Sequence, residues 1–411
     1  GRAPARWEGD RRPPRGEGHR RRPAPCRAVD ESYDMGSYDP EMDGYVPPEI
    51  SLRSLKIGDK IGEGSFSEVY RGVVEGEDGS SQNVIAKAYK KNVRGRDWFS
   101  FYADERATCR RLAETNCAGV APFLGVCGSD AYLVWKDVGV LTLETCLARA
   151  TDADGAFRAL AAAFGQNVDS NDDFTNEVGS TQARAALFLR LAKALLESVA
   201  DLHAHEVVHR DVKPENVLVT ASAVAGGPPR ALLVDLGGAA DLVTGVNTDS
   251  SETIFDPTYG APEQFVRDAK TRGGSSNALA GAFGKLAPGI FGGADRAAGL
   301  SASGAAPAPG LDAFAVGLTL LRVATPALYP ADAMARARDA MDETHERSDA
   351  FEEPFSVLDA WASSPGGETC DFAIVDAARA WSLVEGLATW DPESRLTPRE
   401  ALDHPCFDAL K

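Results

Sequence analysis

No run of eighteen apolar residues exists in this 411-residue chain. Even its most apolar stretch, Ala185 to Leu202, carries Arg190, Lys193, Glu197 and Asp201, so nothing read here is suited to span a bilayer. Cysteine is sparse: seven residues, with no C-x-x-C pair and no metal-ligand spacing. That argues against a disulfide framework and fits reduced thiols in a reducing compartment. No internal repeat is present. Positive charge is scarce beyond the first stretch: residues 1 to 27 hold nine Arg against three acids, a balance of +6, which leaves −24 on the remainder of a chain whose net charge is −18. An acidic body repels phosphate backbones and speaks against a nucleic-acid partner, while it draws basic peptides by long-range steering. Aliphatic residues are almost missing from GRAPARWEGDRRPPRGEGHRRRPAP. Such a segment cannot bury enough area to offset its ordering entropy, so residues 1–48 are expected to form a disordered Arg/Pro-rich arm. An Arg-rich, acid-poor start also suits the tail of a transit peptide, although its low Ser content does not. The chain as a whole, 44% hydrophobic and 25% charged, has the composition of a soluble globular protein with room for one large or two ordinary domains.

From Ser51 the pattern changes. LKIGDKIGEG, FSEVYRGVVEG and NVIAKAYKK alternate apolar and polar residues with period two, and GEDGSS supplies a hairpin turn before the third piece. This predicts a small antiparallel sheet. A helical pattern follows over 98–112, two more strands over 120–124 and 131–136, and then helices dominate, notably over 182–204 and 312–324. Sheet first and helices after implies two lobes, α+β in class. Residues 151–181 and the Gly/Ala/Ser-rich 272–310 have the composition of mobile loops.

IGEGSFSEVY places Gly62 and Gly64 in a strand-turn-strand setting where the lack of Cβ lets backbone N–H groups approach phosphate oxygens, though the third Gly of G-x-G-x-x-G is Ser67. The following strand ends in VIAK, whose Lys87 lies amid apolar residues where an unpaired ammonium would be costly. It needs an anionic partner. Glu105, on the next helix, is within reach, with Asp97 and Asp104 as alternatives nearby; the lysine could then hold the α and β phosphates of a nucleotide. In VVHRDVKPENVLV a polar loop stands between apolar strands. Asp211 can accept the proton of a hydroxyl nucleophile, Asn216 offers an amide oxygen to a divalent cation, and Lys213 can neutralise charge on a transferring phosphoryl group. ALLVDLGG puts Asp235 at the end of a buried strand, well placed to ligate Mg²⁺.

Taken together, IGEGSFSEVY, VIAK, HRDVKPEN, DLG, APE, the Asp312 of DAFAVG and the Arg395 of RLTPREALDHPCF resemble the signature set of eukaryotic protein kinases over about residues 50 to 411. The resemblance implies a bilobal protein kinase fold. The N-lobe would be a small antiparallel β-sheet with one helix over 49–137, and the C-lobe larger and mainly helical over 138–411. It implies ATP and Mg²⁺, with Asp211, Lys213, Lys87 and Glu105 catalytic and Asn216 and Asp235 holding metal. Ile61, Gly62, Gly64, Val69, Ile85, Lys87, Trp135, Lys136, Val138 and Leu218 would line the nucleotide slot, Trp135 as gatekeeper before a hinge at Lys136 and Asp137. Glu263 would pair with Arg395, and Asp312 would hold the HRD backbone from below. Lys213 is the serine/threonine-kinase choice. A pseudokinase or nucleotide-binding scaffold is the alternative, and the intact Lys87, Asp211, Asn216 and Asp235 disfavour it.

The hinge YLVWKDVG, DLGGAADLVTGVN, FDPTYGAPEQF and the long insertion before DAFAVG are similar to the thylakoid state-transition kinases of plants and algae. That implies a light-harvesting antenna protein as substrate, a site at the stromal face of the chloroplast thylakoid, no membrane-spanning segment within this stretch, and a monomeric kinase domain. The sequence departs from the general kinase pattern at three points. Ile85 stands where Ala usually covers the adenine, Leu236 replaces Phe in DFG, and Asp256 stands where serine/threonine kinases usually carry Thr. An acid there would repel Asp211 and attract Lys213, and could serve Arg210 in place of a phosphate.

Overall fold

The computed structural model describes residues 55–64, 66–76, 79–90, 98–127, 132–139, 141–148, 153–165, 180–221, 229–249, 256–267, 300–302, 306–347, 357–362, 366–368 and 370–410. The expected arm, residues 1–48, lies outside them.

Five strands form an antiparallel sheet in the order β1-β2-β3-β5-β4: β1 (Leu55–Glu63), β2 (Ser67–Glu75), β3 (Ser81–Tyr89), β4 (Phe123–Cys127) and β5 (Tyr132–Lys136). The period-two reading of the first three strands matches their register, with Val69 opposite Lys87 and Gly72 opposite Val84. Gly72 is required there, because a Cβ would lie 2.9 Å from the Lys56 carbonyl oxygen. Residues 120–124 were expected as the fourth strand. Pairing instead begins at Phe123, and Val120 bridges to Leu233 in the other lobe. The apolar run continues past the strand's true start because it crosses from one core to the next.

Helix α1 (Trp98–Glu114) turns Tyr102, Glu105, Cys109 and Leu112 inward. Tyr102 packs with Tyr89 and Leu133 in a cluster under the sheet, while Cys109 and Leu112 belong to the main core. One helix thus touches both cores.

The second lobe holds α2 (Leu143–Ala148), α3 (Ala153–Ala163), α4 (Thr181–Ala204), α5 (Pro309–Ala324) and α6 (Ala331–Arg347). In α4 the Ser180 hydroxyl caps the first turn by accepting from Ala183 N at 3.1 Å. All of α5 from Leu311 to Ala324 is buried, so it is the axis of the lobe. Gly317 lets it lie against the chain, since a Cβ would come within 2.9 Å of Ala388 N. The stretch 151–181, expected as a mobile loop, contains α3, whose Ala156, Phe157, Leu160 and Ala161 are buried at helical spacing. The polar half of the insertion masked this periodicity. Within 272–310, Leu300–Ala302 pairs antiparallel with Phe265–Arg267, and α5 starts at Pro309. Two short ribbons frame the polar loop: β6 (Val207–Val208) pairs with β9 (Ala240–Asp241), and β7 (Val217–Thr220) with β8 (Arg230–Leu233). They bring the segments around His209–Asn216 and Asp235 together.

Candidate active site

Lys87 on β3 is 7% exposed and Glu105 fully buried. The ammonium lies 2.8 Å from Glu105 Oε2 and 2.7 Å from Asp235 Oδ1. Of the acids that the sequence offered, Asp97 lies outside the described residues, and of Asp104 and Glu105 the structure brings Glu105 to Lys87; the Tyr89 hydroxyl also donates to Glu105. Burial opposes charge on Lys87, but Asp235 and Glu105 outweigh it and hold the ammonium protonated well above its ordinary range. In turn the Lys87 charge holds the Asp235 carboxyl at about 2. Asp235 sits in left-handed backbone, φ 62°, which turns its side chain out of the strand and into the cleft.

Across the cleft the loop between β6 and β7 carries Asp211. Its Oδ1 is 2.9 Å from Lys213 Nζ, and Lys213 Nζ is 3.6 Å from Asp256 Oδ2, so Asp256 does attract this lysine. The Asn216 amide nitrogen donates to the Asp211 carbonyl at 2.8 Å and to Asp211 Oδ2 at 2.9 Å. Burial, and then the Asp256 charge, push the Asp211 carboxyl above its usual range against the pull of Lys213. Arg210, with φ 66°, is buried and donates from Nε to the Gly238 carbonyl at 2.7 Å.

Lys87, Glu105, Asn216 and Asp235 line one cleft of ≈650 Å³ together with Ile61, Gly62, Gly64, Val69, Ile85, Trp135, Lys136 and Leu218; Asp211 and Lys213 adjoin it through the Asn216 amide. Val138 stands aside: its carbonyl accepts from Thr220 Oγ1 at 3.0 Å, and Gly139 and Leu141 form the wall there. A Cβ on Gly62 or Gly64 would make only ordinary contacts, at 3.6 Å from Val69 Cβ and from Ser67 Oγ respectively. The packing of the fold does not demand these glycines. Lys90 closes the same turn, donating to the Gly64 carbonyl at 2.9 Å.

The donor set fits a hard divalent cation. With its amide nitrogen spent on Asp211, Asn216 has its carbonyl oxygen left for the cleft, and Asp235 Oδ2 is likewise not engaged by Lys87. A different cluster, Cys117, Asp201 and His205, also brings metal-type atoms within 4.8 Å of one another. There Asp201 Oδ2 accepts from Ala118 N at 2.6 Å and Gly119 N at 2.9 Å, while both His205 nitrogens face carbonyl oxygens. It staples the loop after α1 to α4.

The scaffold beneath is built of buried charge. Asp312 accepts from His209 N at 2.8 Å, Arg210 N at 2.7 Å and His203 Nε2 at 2.8 Å. Arg395 meets Glu263 in a fork, at 2.6 and 3.0 Å. Sequence reasoning missed two further arginines. Arg322, on α5, donates to Glu144 at 2.6 Å and to the Tyr259 hydroxyl at 2.8 Å. Arg338, on α6, donates to the Gly260 carbonyl at 2.8 Å. Both hold the segment Asp256–Ala261 from below, and an Arg within the apolar DAFAVGLTLLRVA was the available signal. Also missed was Glu215, on the cleft wall, whose Oε2 is buried without a hydrogen-bond partner. Burial, then the nearby Glu144 charge, raise its carboxyl to about 7.

Residues 55–277 match the protein kinase domain family. Over 369 residues the chain is 25% identical to the chloroplastic serine/threonine-protein kinase STN7 of Arabidopsis thaliana, covering 88% of this chain and 58% of that relative. Over 434 residues it is 24% identical to the chloroplastic serine/threonine-protein kinase STN8 of the same plant, covering 94% and 76%. Among solved structures it is similar to a Stt7 homolog from Micromonas algae soaked with ATP, with TM-score 0.58, 23% identity, and coverage of 87% of this chain and 93% of that one. The last likeness concerns the fold.

Proposed function

We propose that this chain, which belongs to the protein kinase domain family, is an ATP-dependent serine/threonine kinase acting on a light-harvesting antenna protein at the stromal face of the chloroplast thylakoid. The arrangement that carries this reading is the cleft lined by Lys87, Glu105, Asp235 and Asn216, with Asp211 and Lys213 joined to it through Asn216. The names of the two plant relatives, chloroplastic serine/threonine-protein kinases, support the reaction class and the organelle, while the antenna substrate and the stromal face rest on the motif resemblance.

In this reading the oxygen of a Thr or Ser hydroxyl forms the new bond to the γ-phosphorus of ATP, the bond from that phosphorus to the β–γ bridging oxygen breaks, and the hydroxyl proton passes to the Asp211 carboxylate. Its raised proton affinity suits that task. Lys87 holds the nonreacting phosphates, and Lys213 offsets charge on the group in transfer. Asn216 and Asp235 would hold Mg²⁺, which when bound neutralises phosphate charge. Ile85, Val69 and Leu218 enclose the base, and Lys213 and Asp256 place the acceptor.

Radiolabelled ATP with a Thr peptide tests this directly. Wild type should transfer label and Asp211→Asn should lose about 10²-fold or more of the rate, the share ordinarily supplied by a general base. Equal rates in the two proteins would refute the assignment.

A further inference from the structure

Arg111 lies in the last turn of α1, and its Nε donates to Asp241 Oδ2 at 2.6 Å while its Nη2 donates to the His205 carbonyl at 2.7 Å. Asp241 is fully buried. Its other oxygen accepts from Val243 N at 3.0 Å and Thr244 N at 3.2 Å, so the carboxylate is fixed by backbone before Arg111 arrives. Asp241 itself pairs with Val207 across the β6–β9 ribbon, directly ahead of the loop that carries Asp211, and Leu242 N donates to the Glu206 carbonyl at 2.9 Å. One side chain of α1 therefore grips both the turn that leads from α4 into β6, ahead of the Asp211 loop, and the strand that follows Asp235.

Glu105 grips the opposite lobe from the same helix, through Lys87 on β3. Six residues of α-helix separate Glu105 from Arg111, about 9 Å along the axis and about 120° around it. A single anchor leaves a helix free to roll or swing about the anchor. Two anchors at different heights and on different faces, one in each lobe, remove both freedoms. Packing of Tyr102, Cys109 and Leu112 and the Tyr89 hydroxyl on Glu105 limit these freedoms, and Arg111 adds a charged hold at the C-terminal end of the same helix.

We propose that Arg111 and Asp241 form a clasp that sets α1 so that Glu105 reaches Lys87, which makes Arg111 and Asp241 positioning residues for phosphoryl transfer. The inference rests on the kinase reading for its catalytic consequence, and on geometry alone for its effect on the helix.

The test has two readouts. Hydrogen exchange followed by mass spectrometry on the full chain should show faster exchange across Trp98–Thr108 in Arg111→Met, with Ala185–Leu202 of α4 unchanged. Asp241→Asn should do the same, as it keeps the acceptors for Val243 and Thr244 but loses the charge, and it guards against a folding defect peculiar to one variant. In kinetics, Arg111→Met should lower kcat about tenfold, within the range of contact-level couplings. The double variant Arg111→Met/Glu105→Gln should be no slower than Glu105→Gln within about threefold, since both act through one contact. Arg111→Lys should recover part of the loss. Unchanged exchange in α1, or kinetic losses that simply multiply, would overturn the clasp. Absence of phosphotransfer by the wild type would remove the kinase reading while the exchange result still decides the clasp.

Discussion

Two lysines in this protein each stand between two carboxylates, and the outcomes are opposite. Lys87 has Glu105 at 2.8 Å and Asp235 at 2.7 Å; Lys213 has Asp211 at 2.9 Å and Asp256 at 3.6 Å. At the first, the cation prevails and Asp235 is held at about 2. At the second, burial and the neighbouring acid prevail, and Asp211 is pushed up despite its lysine. The first cluster fixes permanent charges suited to gripping phosphate. The second keeps one carboxylate receptive to a proton. What separates them is the balance of burial and charge: at Asp235 the Lys87 attraction outweighs the burial penalty, whereas at Asp211 burial comes first and the Asp256 charge adds to it.

Breaking the first cluster should have the largest effect. Lys87→Met, or Asp235→Asn, should leave a chain with a native circular dichroism spectrum and cost about 3 kcal/mol or more of transition-state stabilisation, roughly a 10²-fold loss of kcat/KM in a labelled-ATP assay. Unchanged turnover in either would erase the distinction between the two lysines. The second cluster offers a finer probe. Burial and then the Asp256 charge raise the proton affinity of Asp211, so Asp256→Asn should lower it and move the acid limb of the kcat/KM profile to lower pH. A limb that stays fixed or moves up would show that Asp256 does not act on Asp211. The smallest effect is expected from dephosphorylation. Asp256 already meets Lys213, and Arg322 and Arg338 already hold Tyr259 and Gly260. Protein made in bacteria, stripped by phosphatase and verified by mass spectrometry, should keep most of its initial rate on a Thr peptide; near-complete loss, restored on rephosphorylation, would overturn this.

The sequence exposed most of the cleft because phosphate chemistry fixes residue types at short spacing. Asp211, Lys213 and Asn216 fall within six positions, and Lys87 stood out as a charge in an apolar strand. Choosing Glu105 over Asp104 needed the helix face, which only packing against Tyr89 and Lys87 decides. The buried arginines stayed hidden for a different reason. Arg111 pairs across 130 positions and Arg322 across 178, and local patterning reads such charges as solvated surface. Composition misled in the same way at α3, where polar neighbours diluted a regular apolar spacing.

Trp135 carries a consequence for pharmacology. Its indole, packed edge-on against Phe123 at 5.5 Å between ring centroids, is a wall of the nucleotide cleft and also of a cavity of ≈320 Å³ behind it that reaches Cys109 and Leu236. A compound that fills the cleft and extends rearward meets the Trp135 indole as a partition. A compound entering the rear cavity from its exposed rim at Asn116 and Ala118 would instead lie beside α1 and reach Val234 and Asp235 from behind. The two spaces share Ala121, Trp135, Val234 and Asp235 as walls, so a compound seated in one presses on residues of the other.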